Sequence, residues 1–156
     1  MIYLIRHGQA GSRAEWTGPD RERPLSGRGT LQAVRLGERL VAAGATRVYS
    51  SPYARCLQTV GPLAAILGVE IEESEHLAEG AGPEGAARLV ADAPSGSVLC
   101  THGDVLHHLA GHLAAHGAPL VIGMPFEKGA VLRLRRNGGT VVSAEYEAPD
   151  RWPAAR

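Results

Sequence analysis

Arg6-His7-Gly8, Ser51 with Arg55, Glu79, and His102-Gly103-Asp104 are the residues of this chain whose types could act together on a substrate. They are far apart in sequence, yet each group follows a short apolar run that reads as a strand. In open α/β sheets ligands bind beyond the carboxyl ends of the strands, so these residues are expected to converge on one rim. Two arginines offer forked donors matched to phosphate oxygens. A neutral imidazole can attack phosphorus. A second histidine, if protonated, can donate to an oxygen whose charge grows in the transition state. A carboxylate can protonate a leaving oxygen and later activate water. Such a set fits phosphoryl transfer through a phosphohistidine, without a metal. The sequence has no Ser-His-Asp elbow, no Walker A loop and no Gly-x-Gly-x-x-Gly.

The elements that must position these residues are legible in outline. Residues 2–6 read as a short buried strand, and residues 9–25 as a polar loop holding Trp16, Pro19, Pro24 and several arginines. Ser26 reads as the N-cap of a helix that carries Leu31, Val34, Leu36, Leu40 and Val41 and closes at Gly44. A strand over 47–51 follows, then a helix opened by Pro52 and ending at Gly68, with Pro62 expected to kink or shift it. Residues 69–73 read as a strand, 76–85 as a glycine-rich loop, and 86–93 as a short helix. A strand over 97–101 precedes a helix over 104–116. Two strands, 130–136 and 141–147, flank the hairpin signal Asn137-Gly138-Gly139. Alternating strands and helices predict an α/β three-layer sandwich with a mostly parallel central sheet and a C-terminal antiparallel hairpin. A single domain over 1–156 is expected, with no internal repeat.

Composition narrows the function classes. Lys+Arg and Asp+Glu both count 16, so the net charge is zero. That leaves no electrostatic footprint for a nucleic-acid polymer or an anionic membrane. Aromatics are only 4%, so the core must be built from Leu, Val, Ile and Ala. Lys128 is the only lysine, and arginine is the better bidentate phosphate ligand. Cys56 and Cys100 make no disulfide framework and fit a reducing cytosol. The N-terminus does not read as a signal peptide, and no apolar run reaches the length of a membrane span. A cytoplasmic protein is expected, of unspecified oligomeric state.

Four ordered blocks carry a family resemblance. Leu4-Ile5-Arg6-His7-Gly8-Gln9 resembles the signature opening of the histidine phosphatase superfamily, the phosphoglycerate-mutase-like fold. Arg23-Pro24-Leu25-Ser26-Gly27-Arg28-Gly29 is similar to its Pro-Leu-Thr/Ser-x-x-Gly helix start. Ser51-Pro52-Tyr53-Ala54-Arg55-Cys56-Leu57-Gln58-Thr59 resembles its Ser-Pro-x-x-Arg-x-x-Gln-Thr segment, and Thr101-His102-Gly103 its Ser/Thr-His-Gly motif. The resemblance implies that His7 is the phosphorylated nucleophile, with Arg6, Arg55 and His102 forming the phosphate pocket. It implies Glu79 as the acid/base, with Glu73, Glu75 and Glu84 as nearby rivals. No metal and no cofactor are implied. Long capping insertions are missing, so the cap is minimal and the chain resembles the compact branch. That branch includes bacterial phosphohistidine phosphatases and phosphatase domains appended to nudix hydrolases. The implied substrate is a small phosphorylated metabolite, a nucleotide or a protein phosphohistidine. A non-catalytic phospho-ligand binding module and a phosphoglycerate-mutase-type transferase are the alternatives; the missing cap counts against the second.

Other residues have plainer readings. His108, His112 and His116 recur at metal-ligand spacing but read as a surface stripe. His107 reads as solvated, and His76 as either a rim residue or exposed. Arg133, Arg135 and Arg136 read as a solvated hairpin face. Cys56 and Cys100 read as core, with redox sensitivity as a minor alternative. Arg13, Trp16, Arg21 and Arg23 leave the strand that carries His7, and are candidates for a substrate rim.

Overall fold

The computed structural model describes residues 1–120 and 123–149. The expected single domain over 1–156 includes residues 121, 122 and 150–156, which lie outside that description. Its strands are β1 (Ile2–Arg6), β2 (Arg47–Ser50), β3 (Ile71–Glu73), β4 (Ser97–Thr101), β5 (Val131–Asn137) and β6 (Thr140–Glu147). Its α-helices are α1 (Gly27–Ala42), α2 (Ala54–Leu67), α3 (Pro83–Asp92) and α4 (Gly103–Ala115).

The strands form one sheet in the order β3-β2-β4-β1-β5-β6. Pairing is parallel from β3 to β1 and antiparallel from β1 to β6. Strand periodicity divides the core in two. Ile2, Leu4 and Leu99 point to one face, where Val90 of α3 and Val105, Leu106 and Leu109 of α4 cover them. Tyr3, Ile5, Val98 and Cys100 point to the other, under Leu36 and Leu40 of α1 and Val60 and Leu63 of α2. The architecture is therefore an α/β/α sandwich with a C-terminal antiparallel hairpin. No helix among the described residues is long and apolar enough to cross a membrane.

Several boundaries differ from the sequence expectation, each for a local reason. The second helix begins at Ala54, not Pro52, because the Ser51 Oγ accepts from the Tyr53 backbone N–H and holds Tyr53 extended. It then runs through Pro62 to Leu67. The third strand begins at Ile71, because the Val69 N–H still donates back to the Ala64 carbonyl. The third helix begins at Pro83, where proline at the first turn loses no intrahelical bond. The polar loop contains a 3-10 turn over Asp20–Glu22. Arg136 is not solvated: it donates to the Val90, Ala91 and Ala93 carbonyls and so caps the C-terminus of α3.

Ser26 caps α1 as expected, its Oγ accepting from the Gly29 N–H at 3.2 Å. Gly29 is required by close approach: a Cβ there would lie 1.9 Å from the Gln9 carbonyl oxygen. Helix α1 is thus pressed against the chain leaving β1.

Candidate active site

Register places the two histidines side by side. Arg6 of β1 pairs with Thr101 of β4, so His7 and His102 step off the ends of adjacent parallel strands. The His7 N–H donates to the Thr101 carbonyl at 3.0 Å and extends the ladder by one bond. The imidazole centroids are 5.3 Å apart, with planes inclined at 64°.

His7 is nearly buried, and its Nδ1 lies 2.8 Å from the Gly8 carbonyl oxygen. A carbonyl only accepts, so Nδ1 carries the proton and Nε2 keeps its lone pair. Burial, with smaller contributions from His102, Arg55 and Arg6, pushes the His7 pKa down to about 3 against the raising effect of the Gly8 bond. The ring is therefore a neutral nucleophile in form. The Gly8 N–H donates to Thr59 Oγ1, which in turn donates to the Arg55 carbonyl, fixing the loop to α2.

His102 is held on its Nε2 side. Ser51 Oγ lies 2.8 Å from that nitrogen and Cys56 Sγ 3.5 Å, while the Tyr53 ring packs edge-on at 4.7 Å. Its Nδ1 is buried without a partner. Burial would raise the Cys56 thiol pKa, but bonds from Cys100 and His102 outweigh that and lower it.

A cavity of about 350 Å³ opens over both histidines. Its cationic lining is Arg6, Arg13, Arg23 and Lys128; Glu79 and Asp104 supply carboxylates, and His107 stands at its edge. Arg6 donates to the Phe126 carbonyl at 2.7 Å, and its Nε is buried without a partner. Desolvation lowers the Arg6 pKa, and Tyr146, Asp104 and Glu79 offset part of that.

Arg55 is fully buried behind this lining. Its guanidinium donates to the Asp20 carbonyl, to Asp20 Oδ2 at 3.0 Å and to Glu79 Oε2 at 3.1 Å. Glu79 Oε1 accepts from Arg13 Nη2 at 2.9 Å. Burial pulls Asp20 upward, but Arg23, Arg55 and Arg13 outweigh it and hold the carboxyl at about 2.

Not every candidate reaches the cavity. Trp16 donates its indole N–H to the Pro19 carbonyl, and Arg21 pairs with Glu75; neither lines it. Glu73, Glu75 and Glu84 are exposed and do not line it either. His76 packs over Gly85 outside it. His107, read as solvated, is exposed yet lines the cavity and packs on Phe126 at 5.0 Å. His112 and His116 stack at 4.3 Å, and no group of three or more metal-ligating side chains occurs among the described residues. Asp104, grouped with His102 beyond the fourth strand in the sequence, lines the cavity. Asp20 and Lys128 follow no strand end, and sequence reasoning missed them.

Comparison with known proteins bears on this geometry. Residues 2–84 match the model of the histidine phosphatase superfamily (branch 1). The chain is 35% identical over 154 residues to an 8-oxo-(d)GTP phosphatase of Mycolicibacterium smegmatis, covering 95% of this chain and 48% of that protein. It is 31% identical over 84 residues to a probable phosphoglycerate mutase GpmB of Salmonella paratyphi C, covering 51% of this chain and 37% of that protein. The chain thus spans half or less of the length of these curated relatives. Among solved structures, the protein histidine phosphatase SixA complexed with tungstate superposes with a TM-score of 0.75 at 19% identity, over 96% of this chain and 97% of that one. Bacillus stearothermophilus YhfR superposes with a TM-score of 0.71 at 22% identity, over 91% and 94%. At those identities the structural matches speak to the fold.

Proposed function

The chain belongs to the histidine phosphatase superfamily, and from that membership we propose that it is a metal-independent phosphatase that works through a phosphohistidine on His7. One observation carries the reading: His7 keeps an unprotonated Nε2, with Nδ1 tied to Gly8, on a cavity lined by cations. Its low basicity favours the neutral ring that attack on phosphorus needs.

In this mechanism His7 Nε2 attacks the phosphorus in line with the departing oxygen. Arg6 and the free His102 Nδ1 meet the equatorial oxygens, where charge accumulates. Arg55 reaches the phosphoryl group when one of its oxygens replaces the Glu79 carboxylate on Nη2. That exchange frees Glu79 to protonate the leaving oxygen and then to draw a proton from the water that cleaves the phosphohistidine. The arginines supply the positive charge that metal ions supply in other phosphoryl transfers.

The proposed substrate is a small phosphorylated molecule, a nucleotide or a protein phosphohistidine. The names of the 8-oxo-(d)GTP phosphatase and SixA relatives point to the last two. Short connections around the cavity suit hydrolysis better than mutase chemistry, which must retain an intermediate while it reorients. Rapid-quench labelling with a radioactive phosphoryl donor tests the reading. The expected product is an acid-labile, base-stable phosphoenzyme that is absent in His7→Ala. An acid-stable phosphoester, or activity lost to chelators and restored by a divalent ion, overturns it.

A further inference from the structure

Lys128 lies in the cavity lining, in the segment pinned beside the nucleophile. The Gly129 N–H donates to both the Arg6 and His7 carbonyls, and Gln32 Nε2 donates to the Lys128 carbonyl. Each arginine around it is committed elsewhere. Arg13 pairs with Glu79, Arg23 with Asp20, Arg55 with both, and Arg6 donates to a carbonyl. The Lys128 ammonium has no hydrogen bond or ion pair among the described residues. Partial burial, then Arg6, Arg23, Arg55 and Arg13, lower its pKa, so it sits in repulsive surroundings. An uncompensated cation among arginines costs free energy, and a bound anion relieves that cost.

In the proposed mechanism Arg6, Arg55 and His102 hold the transferred phosphoryl group, and Lys128 has no part in that step. We propose that Lys128 binds a second anionic group adjacent to the transferred phosphoryl, so that the preferred substrate is a diphosphate whose leaving group is itself a phosphate. The inference rests on the phosphohistidine reading and names its substrate class. His7 Nε2 forms the bond to the terminal phosphorus as the bridging P–O bond breaks. The bridging oxygen departs with the electron pair on the remaining phosphate, where Lys128 neutralises it. Water then cleaves the phosphohistidine to release orthophosphate. Such a leaving group needs little protonation, so Glu79 would matter mainly in the second step.

The test compares wild type with Lys128→Gln and Lys128→Arg. ADP and inorganic pyrophosphate serve as diphosphate substrates, and an aryl phosphate as the monoester. The ratio of kcat/KM for either diphosphate to that for the monoester is expected to fall at least ~10-fold in Lys128→Gln, as for one charged hydrogen bond, and to recover in Lys128→Arg. Binding of the non-hydrolysable probe methylenediphosphonate, measured by calorimetry, is expected to weaken more than binding of orthophosphate. An unchanged ratio with parallel losses in both binding affinities overturns the proposal and assigns Lys128 to the transferred phosphoryl. No loss in either also overturns it. The binding arm is independent of turnover, and the labelling of His7 is independent of Lys128, so failure of one reading is distinguishable from failure of the other.

Discussion

Glu79 and Arg55 are bonded to each other, Glu79 Oε2 to Arg55 Nη2 at 3.1 Å, although they leave different strands and Arg55 is fully buried. Arg13 occupies the other Glu79 oxygen. The carboxylate thus accepts a guanidinium N–H on each of its two oxygens. Glu79→Gln should slow alkyl phosphates far more than aryl phosphates, because a poor leaving group needs the proton; general acid catalysis is typically worth about 10²–10⁴-fold. Phosphoenzyme should accumulate with activated substrates. Small equal losses on both classes, without accumulation, would transfer the role elsewhere, and Asp104 would be examined next because its Oδ1 is buried without a partner.

The basicity of His7 should be readable directly. Its folded pKa of about 3 lies below the ordinary 6.5. NMR of the ligand-free protein should show the His7 ring neutral throughout pH 5–8. The sign for stability follows. Between those two values the unfolded chain binds the extra proton, so stability is full above pH 6.5 and is lost as pH falls towards 3. From pH 7 to pH 5 the loss should be about 2 kcal/mol from this residue. His7→Asn should remove that slope in urea unfolding at the two pH values. An unaltered slope would mean that His7 titrates normally.

Arg55 is expected to matter to stability as well as to turnover. Its removal leaves Asp20 and Glu79 without their shared donor and opens a space under Tyr53, whose ring it packs on at 4.9 Å. Arg55→Met should cost about 2–3 kcal/mol in denaturant unfolding, below the fully buried value because both carboxylates keep some contact with water. Asp20 should then titrate nearer its ordinary value. A neutral effect on stability would show that the guanidinium serves only the ligand.

Gly29→Ala tests the packing that sets the loop after His7. The methyl would meet the Gln9 carbonyl at 1.9 Å, and that atom is backbone. Helix and loop must separate, at a cost of about 2 kcal/mol or more. Activity should fall with stability, since Gln9 is two residues from His7. Gly27→Ala, where nothing lies within 4 Å, is the control and should be nearly silent.

Residues read correctly into elements from sequence are those whose position follows from local pattern. His7 and His102 directly follow strands, so locating the strands located them. Ser26 was legible as a cap because capping is a short-range bond. Asp20 was not legible as a site residue, because Arg55, which ties it to the site, lies 35 residues away and meets it only in the fold. Arg136 was misread for the same reason, its acceptors lying 43–46 residues away on α3. Trp16 and Arg21 had suggestive types, but the nearby Pro19 carbonyl holds Trp16, and Glu75, 54 residues away in sequence, holds Arg21; neither side chain lines the cavity. Lys128 follows a loop rather than a strand, so the strand-end rule passed it over.

The register of β1 and β4 has an evolutionary consequence. The spacing between His7 and His102 is set by adjacent rungs of one hydrogen-bonded ladder, whereas Arg13, Arg23, Glu79 and Lys128 stand on connecting segments. Selection can therefore rewrite the residues around a ligand while the separation of the two imidazoles stays the same. A library confined to those connections should yield variants with new preferences among phosphorylated compounds. It should seldom yield variants that have lost the ability to form the phosphoenzyme.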